Sequence, residues 1–179
     1  MSEKFYNLVA DDIKSRVEWE TRQALWYQMR NNGLKRKHKP WPGAADMHFP
    51  LIDTTINKLK PGFFQQAMGL EVLATFVPMR SQLAGFTTAA EQWFSYKLHE
   101  QSNYATEVMS WIDHMLMGGR GVLKVFWNPD KRRVEFQAID PLFVIVPPWT
   151  KGVDGADRVT HVLPMSEAAY KRAGIYDTS

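Results

Sequence analysis

Residues 122–139 read VLKVFWNPDKRRVEFQAI, and this stretch decides the class of fold. Apolar and polar side chains alternate on both sides of residues 128–132, which read NPDKR and contain the Asn, Pro and Asp that favour tight turns. Alternation with a period of two is the pattern of a strand with one buried face. The sequence therefore predicts an antiparallel β-hairpin, with one strand on each side of the turn.

Upstream of the hairpin, the first predicted element is an amphipathic helix. Asp11 and Asp12 can accept hydrogen bonds from the free N–H groups at a helix start, apolar side chains then recur at helical spacing, and Gly33 offers an end. The opposite face of this helix is charged and is predicted to be solvated. The charged side chains are those of Lys14, Arg16, Glu18, Glu20, Arg22 and Arg30.

A second helix and a strand are predicted next. Pro50 suits the first turn of a helix, which Pro61 and Gly62 are expected to kink or end. Residues 72–77 read VLATFV, a composition typical of strands, and Pro78 closes this run. The sequence therefore predicts a change from helix to strand in this part of the chain.

Two more helices and two more strands are predicted around the hairpin. Apolar side chains recur at helical spacing over residues 87–100 and 104–117, and the pair Gly118-Gly119 breaks the second pattern. After the hairpin, apolar runs at residues 142–146 and 158–163 predict further strands. Helices thus precede most of the strands along the chain.

This order of elements predicts an α+β fold, in which a helical N-terminal portion precedes a mostly antiparallel, meander-like sheet. Residues 1–69 form the predicted N-terminal helical region with a basic loop that contains Pro and Gly, and residues 70–179 form the α+β region. A short helix is expected at residues 166–174, and a polar tail without a closing element follows it. We therefore expect the two regions to be one incomplete domain of a longer chain.

The composition limits the classes of protein that fit. Hydrophobic residues make up 45% of the 179 residues and charged residues 23%, which is typical of a globular chain and not of a disordered one. Cysteine is absent, so disulfides, thiolate zinc sites and a Cys nucleophile are excluded. No signal peptide or long apolar run is found, so no membrane partner is expected. The net charge of +3 is too small to indicate nucleic-acid binding by itself.

The residue types that commonly carry catalysis do not fall into a known arrangement. Gly118–Gly121 precede a strand, whereas a phosphate-binding loop places its glycines before a helix, and no Gly-x-Ser-x-Gly motif occurs. Asp113 and His114, beside Glu107 and Ser110, have the side chains of an acid–base cluster, but their spacing also suits the polar face of a helix. We therefore predict that these four side chains lie on the polar face of a helix and do not form an acid–base cluster.

A metal site is considered for the same reason, because ligand-type side chains stand close together near residue 50. Asp46, His48 and Asp53 are the residues concerned. Their spacing matches no known metal site, and Asp53 suits the first turn of a helix, where negative charge is favoured. The sequence therefore predicts no catalytic residue, no metal site and no cofactor.

The candidate functional site is a basic loop. Its cationic side chains can contact phosphates or an acidic protein, and its aromatic ring can stack or pack. Such a run is also common on solvated loops, so three uses stay open: a nucleic-acid contact, an acidic protein partner, or solubility. The candidate interface residues are Lys35, Arg36, Lys37, Lys39, Trp41 and Pro42, with His38 inside the basic run.

Several short motifs occur in an order that is unusual in combination. Residues 41–51 read WPGAADMHFPL, residues 93–97 read WFSYK and residues 119–127 read GRGVLKVFW. Residues 139–141 read IDP, and a phenylalanine and a Pro-containing loop follow them. In this order, the motifs resemble the N-terminal portion of the portal proteins, or head-to-tail connectors, of tailed bacteriophages, and the resemblance covers residues 17–174.

The resemblance implies a wing-like α+β domain in a ring of identical subunits, commonly twelve, at one vertex of the phage head. It also implies a structural virion protein, assembled in the host cytoplasm, that serves genome packaging, genome ejection and tail attachment. The implied partners are the capsid protein, the terminase, tail or adaptor proteins, and the double-stranded DNA that passes through the ring, while catalysis belongs to the terminase. Portal proteins are longer than this chain, which lacks their stem, tunnel loop and clip.

The resemblance also gives the basic loop a more specific role. Because the stem and the tunnel loop line most of the tunnel in portals, this loop is expected to face a neighbouring subunit or the capsid, with Trp41 as its anchor. The alternative function is a nucleic-acid-binding module that uses Lys35 to Lys39, whose affinity would fall steeply with salt. A third class, an enzyme or enzyme subunit, would need a deep pocket with converging titratable groups.

Overall fold

The computed structural model describes residues 2–31, 33, 41–43, 49–69, 73–100, 102–150 and 152–169. The chain divides into two compact units. Residues 18–141 form one of them, which we call the central unit, and residues 1–17 with 142–179 form the other, the terminal unit.

Helices dominate the N-terminal portion of the chain. They are α1 (Ser2–Ser15), α2 (Val17–Arg30), α3 (Leu51–Met68), α4 (Ala84–Glu100) and α5 (Tyr104–Gly118). The predicted helices at residues 87–100 and 104–117 are confirmed as α4 and α5. Gly119 ends α5 in the left-handed conformation with φ of 70°, and its N–H group donates to the Met115 carbonyl at 2.8 Å. None of the described helices has the length and apolar character needed to cross a membrane.

The predicted start of the first helix is wrong. Asp11 and Asp12 lie inside α1, and the break between α1 and α2 falls at Arg16. The Asp12 carboxylate does not cap a helix, because it accepts hydrogen bonds from the Arg158 guanidinium at 2.7 and 2.8 Å. Arg16 is likewise not on a solvated face, since its guanidinium donates to the Val144 carbonyl at 2.7 Å. Long-range polar contacts within the terminal unit therefore override the local helix signals.

α3 runs through Pro61 and Gly62, so the helix does not end where the sequence suggests a kink or an end. A proline in a helix interior removes one backbone hydrogen bond. Ile56 before the proline and Met68 after it are both buried, and α3 packs along α5. Packing on both sides of the proline therefore keeps α3 in one piece.

The hydrophobic core of the central unit lies between α3 and α5. Met68, Val108 and Ile112 are in contact there, and Val108 and Ile112 are only 2% and 1% exposed. Full burial of an aliphatic side chain of this size contributes about 1.5–3 kcal/mol. The half-buried side chains packed around this core are those of Phe64, Ala67, Tyr104, Ala105, Trp111 and Leu116.

The strand predicted at residues 72–77 is not formed by the described part of that run, which starts at Leu73. Backbone N–H groups in this run bind side chains of α4 instead of a neighbouring strand. The Leu73 N–H group donates to Ser95 Oγ at 3.2 Å, and the Phe76 N–H group donates to Glu91 Oε1 at 2.7 Å. Strand propensity alone forms no sheet, because a strand needs a partner for its backbone.

The predicted hairpin is confirmed. Strands β1 (Val122–Asn128) and β2 (Arg133–Ile139) pair antiparallel in continuous register over all seven residues of each strand. The Asn128 side-chain oxygen accepts hydrogen bonds from the N–H groups of Asp130 and Lys131 at 3.0 and 3.1 Å. This asparagine therefore closes the turn by mimicking backbone, as turn-forming residues do.

The N-terminal end of α5 covers the outer edge of β2. The Asn103 side-chain oxygen accepts a hydrogen bond from the Phe136 N–H group at 2.9 Å, and its amide nitrogen donates to the Phe136 carbonyl at 2.6 Å. Glu107 accepts a third hydrogen bond, from the Ala138 N–H group at 2.6 Å. The Asn103 amide thus takes the place that a peptide group of a third strand would occupy.

In the terminal unit the strands are shorter than predicted. The runs expected at residues 142–146 and 158–163 form β3 (Val144–Ile145) and β4 (Thr160–His161), which pair antiparallel. Residues 167–169 of the predicted last helix are helical, and its remainder from residue 170 lies outside the described residues.

The α+β class is confirmed, with helices in the N-terminal portion followed by antiparallel strands. The described strands form two separate two-stranded sheets, one in each unit, where the sequence suggests a single meander. On the β2 side of the hairpin, side chains of α5 and of its N-cap residue occupy the place of a further strand.

We expect Asn103→Ala to lower the free energy of unfolding by about 1–3 kcal/mol, because it leaves both backbone groups of the buried Phe136 without partners. Urea denaturation at neutral pH measures this difference. The control is Asn57→Ala, which removes an exposed hydrogen bond to Asp53 and should change stability by less than about 0.5 kcal/mol. Equal losses in the two variants would contradict the role of Asn103 as an edge cover.

Candidate interaction site

Asp113 belongs to an ion cluster that joins three helices of the central unit. Arg30 of α2 donates to both Asp113 carboxylate oxygens, at 2.7 and 3.1 Å, and to Asp53 of α3 at 3.0 Å. Lys60 of α3 approaches Asp113 at 2.6 Å. The Arg30 side chain is 16% exposed, so the prediction that it lies on a solvated face is wrong.

The cations of this cluster keep the Asp113 carboxylate ionised. Hydrogen bonds from Arg30, and then from Lys60, lower the pKa of Asp113 to about 2, while partial burial opposes this shift. Hydrogen bonds to Asp113, and then to Asp53, raise the pKa of Arg30. Asp113 therefore stays ionised near neutral pH, and its position suits a structural clamp between helices.

Two of the side chains considered with Asp113 as an acid–base cluster, those of Glu107 and Ser110, bind other groups. Glu107 accepts from the backbone of β2, and Ser110 donates to the Thr106 carbonyl at 3.3 Å. His114 Nδ1 is buried and has no hydrogen-bond partner among the described residues. Within that same part of the chain, no group of three or more His, Asp or Glu side chains is placed to hold a metal ion.

The basic loop predicted as the functional site is described only at its end. Lys35, Arg36, Lys37 and Lys39 lie outside the described residues, as do Asp46 and His48. Trp41, Pro42 and Gly43 are described and exposed, and the Trp41 side chain is 63% exposed. Gly43 has φ of 84°, a backbone conformation that favours glycine, so a tight turn follows Trp41. The assignment of this loop as an interface stays a prediction.

A cleft of about 800 Å³ opens between α4 and the hairpin, within the central unit. Cross-strand neighbours lie on the same face of a sheet, so Val125 opposite Phe136 and Trp127 opposite Val134 form an apolar wall. Trp93 and Trp127 are 61% and 60% exposed. The cleft is lined by Trp93, Phe94, Lys97, Leu98, Glu100, Ser102, Val125, Trp127, Lys131, Arg132, Arg133, Val134 and Phe136.

Cations stand around this cleft. Lys97 Nζ lies 5.6 Å from the centre of the Trp93 ring, a cation–π contact between side chains one helical turn apart. Lys131 and Arg133 both approach Glu135 at 2.8 Å. Hydrogen bonds from Lys131, Asn128 and Arg133 lower the pKa of Glu135 to about 2, so this carboxylate stays charged and holds the two cations at the hairpin turn.

Arg132 is the cation at the tip of the hairpin. Its φ is 49°, in the left-handed region that few residues other than glycine adopt. Its side chain lines the cleft, and no described residue forms an ion pair with it. The turn therefore presents one charged group to a partner in addition to the two cations bound by Glu135.

Apolar walls with cations at the mouth suit a partner that brings apolar surface and negative charge. An acidic segment of a protein has both properties, and so does a single nucleic-acid strand with stacked bases and phosphates. The geometry is that of a binding surface, with no cluster of converging acids and bases among its lining residues.

Sequence reasoning did not identify this cleft, although two signals for it were present. Trp93 and Lys97 stand four residues apart on a predicted helix, and residues 131–133 place three cations at the tip of the predicted hairpin. Neither signal indicates that α4 and one face of the hairpin line the same cleft. That arrangement depends on long-range contacts, which residue spacing does not show.

A scan against models of known protein families finds no match, and a search of curated proteins finds none either. What the protein does is therefore inferred from its own residues.

Asp113→Asn should destabilise the fold by about 1–2 kcal/mol at pH 7, because it weakens charged hydrogen bonds at a partly screened site. The pKa of Asp113 is lowered in the folded chain, so its carboxylate stabilises the fold above its ordinary pKa of 3.8, and this contribution is lost as pH falls toward about 2. The difference between the parent protein and the variant should therefore shrink between pH 4 and about pH 2. Urea denaturation across this pH range measures it.

The matched control for this pH series is Asp11→Asn. Asp11 forms an ion pair with Lys14 at 3.6 Å, and the side chains of Asp11 and Lys14 are 73% and 78% exposed. Such a pair contributes little to stability, so the control should stay within about 0.5 kcal/mol of the parent protein at every pH. An Asp113→Asn effect that is as large at pH 2 as at pH 7 would exclude the ion cluster as its cause.

Proposed function

We propose that this chain is part of a portal subunit, a structural virion protein that forms a ring of identical subunits at one vertex of a tailed-bacteriophage head. The observation that carries the proposal is the exposed aromatic surface of the central unit. Trp41, Trp93 and Trp127 are 63%, 61% and 60% exposed. Exposed aromatic surface of this kind is characteristic of faces that a partner covers.

The kind of partner follows from the arrangement of this surface. Identical subunits in a ring meet through two different faces, so a concave face on one copy needs a matching face on the next. The cleft between α4 and the hairpin is a concave face with apolar walls and cations at its mouth. Both features favour a protein neighbour that buries the tryptophans and brings negative charge near the cations.

The wider role in this proposal rests on the order of the sequence motifs. Capsid protein, terminase, and tail or adaptor proteins are the proposed partners, and double-stranded DNA is proposed to pass through the ring. The virion is the proposed location, after assembly in the host cytoplasm. In this proposal the chain itself performs no catalysis, and the packaging motor supplies it.

Trp41 has a defined part in the proposal, as the anchor of the loop that meets a neighbouring subunit or the capsid. A tryptophan buried at a subunit boundary contributes about 2 kcal/mol or more, whereas lysines at the rim chiefly tune the rate and salt dependence of association. Trp41 and Pro42 are both exposed in the isolated chain, which leaves them accessible to such a partner.

The full-length protein should form closed rings of one defined subunit number, with twelve expected from the motif resemblance, in electron micrographs and in native mass spectra. Trp41→Ala should impair ring formation more than the double variant Lys35→Ala, Lys37→Ala does, because it removes buried apolar surface at the boundary. Trp149→Ala is the matched control, since Trp149 is 65% exposed but belongs to the terminal unit.

The same measurements can overturn this proposal. Full-length protein that stays monomeric at moderate salt and micromolar concentration contradicts a ring subunit. Rings that tolerate Trp41→Ala but are lost in the double lysine variant would make the basic run, and not the tryptophan, the contact of this loop.

A second function, nucleic-acid binding, is proposed because the cleft combines exposed tryptophan rings with cations. It adds a second surface to the basic run from Lys35 to Lys39. Base stacking on aromatic rings and contacts between cations and phosphates are the two parts of single-strand binding.

If this second function holds, a labelled single-stranded oligonucleotide should bind with an affinity that falls between about 50 and about 200 mM salt. Arg132→Ala should weaken binding. The slope of the logarithm of affinity against the logarithm of salt concentration should also become shallower, by about the amount that one phosphate contact contributes. Lys58→Ala, an exposed lysine of α3 outside the cleft, is the control and should change neither quantity. No binding at about 50 mM salt, measured by fluorescence anisotropy, removes this candidate.

A further inference from the structure

The hairpin of the central unit has one covered edge and one open edge. The N–H groups of Phe136 and Ala138 point away from β1 to Asn103 and Glu107. In an antiparallel pair, backbone groups point alternately toward the partner strand and away from it. The odd-numbered residues of β2 therefore bond to β1, and their partners in β1 are the even-numbered residues.

It follows that Leu123, Val125 and Trp127 direct their N–H and C=O groups away from β2. No hydrogen bond reaches these outward groups from any residue that the structure describes. Native proteins protect strand edges with prolines, bulges or charged side chains along the edge. β1 has no proline and no bulge, and its one charged side chain, that of Lys124, lies on the face of the sheet opposite to Val125 and Trp127, which are 58% and 60% exposed.

A second segment of the central unit has the complementary property. Residues 73–78 read LATFVP, an uncharged run with the composition of a strand, yet they pair with no strand among the described residues. The N–H groups of Leu73 and Phe76 bind side chains of α4, whereas no described residue bonds to the N–H groups of Thr75 and Val77. The Val77 side chain is 85% exposed.

We propose that residues 73–78 of one copy of this chain add to the open edge of β1 in the next copy, as a third strand of its hairpin sheet. Strand addition satisfies, in one contact, the outward backbone groups of β1 and the N–H groups of Thr75 and Val77, which no described residue binds. This inference deepens the proposed function and rests on it, because it names the contact between neighbouring subunits of the ring.

A second copy of the chain fits this strand addition because one chain carries both the segment and the open edge. The segment and the edge are different surfaces, so each copy can give its segment to one neighbour and receive a segment from the other. Such a head-to-tail contact closes into a ring when the rotation between subunits permits it. The added strand also lies beside Val125 and Trp127, which line the cleft, so the same neighbour covers exposed parts of the apolar wall.

The energetic reason concerns the hairpin. A two-stranded sheet is marginally stable by itself, and three strands are more stable because each inner strand bonds on both sides. In the single chain, α5 supplies the third partner on the β2 side with side chains of Asn103 and Glu107. A segment from a neighbour supplies the missing partner on the β1 side.

Cysteine cross-linking tests this contact directly, because none of the 179 residues is a cysteine; any cysteine elsewhere in the full-length protein is first replaced by serine. Full-length chains with Val77→Cys and full-length chains with Val125→Cys are co-expressed under different tags, so a mixed disulfide joins two copies. Cα atoms of neighbouring strands lie about 4.5–5.5 Å apart, within the range of about 4.4–6.8 Å that a disulfide spans. We expect a mixed dimer on a non-reducing gel, with the joined peptides identified by mass spectrometry.

The matched control replaces Val125→Cys with Val153→Cys, since Val153 is 52% exposed and belongs to the terminal unit. The Val77–Val125 pair should give at least about tenfold more cross-linked product than the control pair, because strand pairing holds the two thiols at a high effective concentration.

A backbone variant tests the hydrogen bonds separately from the side chains. Val125→Pro removes an outward N–H group and no bond to β2, a position at which an edge strand tolerates proline. We expect it to abolish ring formation while the urea transition of the isolated subunit shifts little. Val125→Thr keeps the N–H group and the branched shape, and should still form rings.

The outcomes separate this inference from the proposed function. Rings that form without the Val77–Val125 cross-link, and that tolerate Val125→Pro, overturn strand addition and leave the ring subunit in place. Cross-linking in open chains, with no closed ring, supports strand addition and overturns the portal proposal. Cross-linking of Val125→Cys to itself at the level expected for the mixed pair would show that β1 pairs with β1, and would overturn the assignment of residues 73–78.

Discussion

The contact between the Asn103 side chain and the Phe136 backbone fixes the position of the hairpin. Because an amide carries both a donor and an acceptor, one side chain satisfies both backbone groups of Phe136, at 2.6 and 2.9 Å. Glu107, one helical turn later, binds the next outward N–H group of β2. These bonds attach β2 to α5, whose other side forms the core with α3. The cleft, the covered edge and the open edge all follow from this attachment.

A second constraint holds the helices that carry this arrangement. Arg30 joins α2 to α3 and α5 through Asp53 and Asp113, and Lys60 adds a contact from α3 to the same Asp113 carboxylate. Charges that are partly buried need partners, and these partners come from three different helices. The cluster thus neutralises itself inside the central unit. It stabilises the surface that we propose binds a neighbour without being part of that surface.

Local sequence signals predicted the hairpin, α4 and α5, because alternation, turn residues and helix-ending glycines act over a few residues. They failed where distant groups decide the outcome. Arg16 and Arg30 look like solvated charges, yet each binds groups far along the chain. The cleft was missed for the same reason, although its tryptophans and cations are visible in the sequence. The role of Trp41 stays a prediction.

The failed strand prediction at residues 72–77 has a different origin. Arg16, Arg30 and Asp113 find partners within the chain, whereas the described part of the strand-like run binds two side-chain acceptors on α4 and no described strand. Propensity describes what a segment does when a neighbour is present, and a single chain lacks that neighbour. The ion cluster of Arg30, Lys60 and Asp113 is satisfied internally, and the groups that the proposed strand addition uses are backbone N–H groups and apolar side chains. Association through such groups depends less on salt than phosphate binding does, and this difference separates the two proposed functions physically.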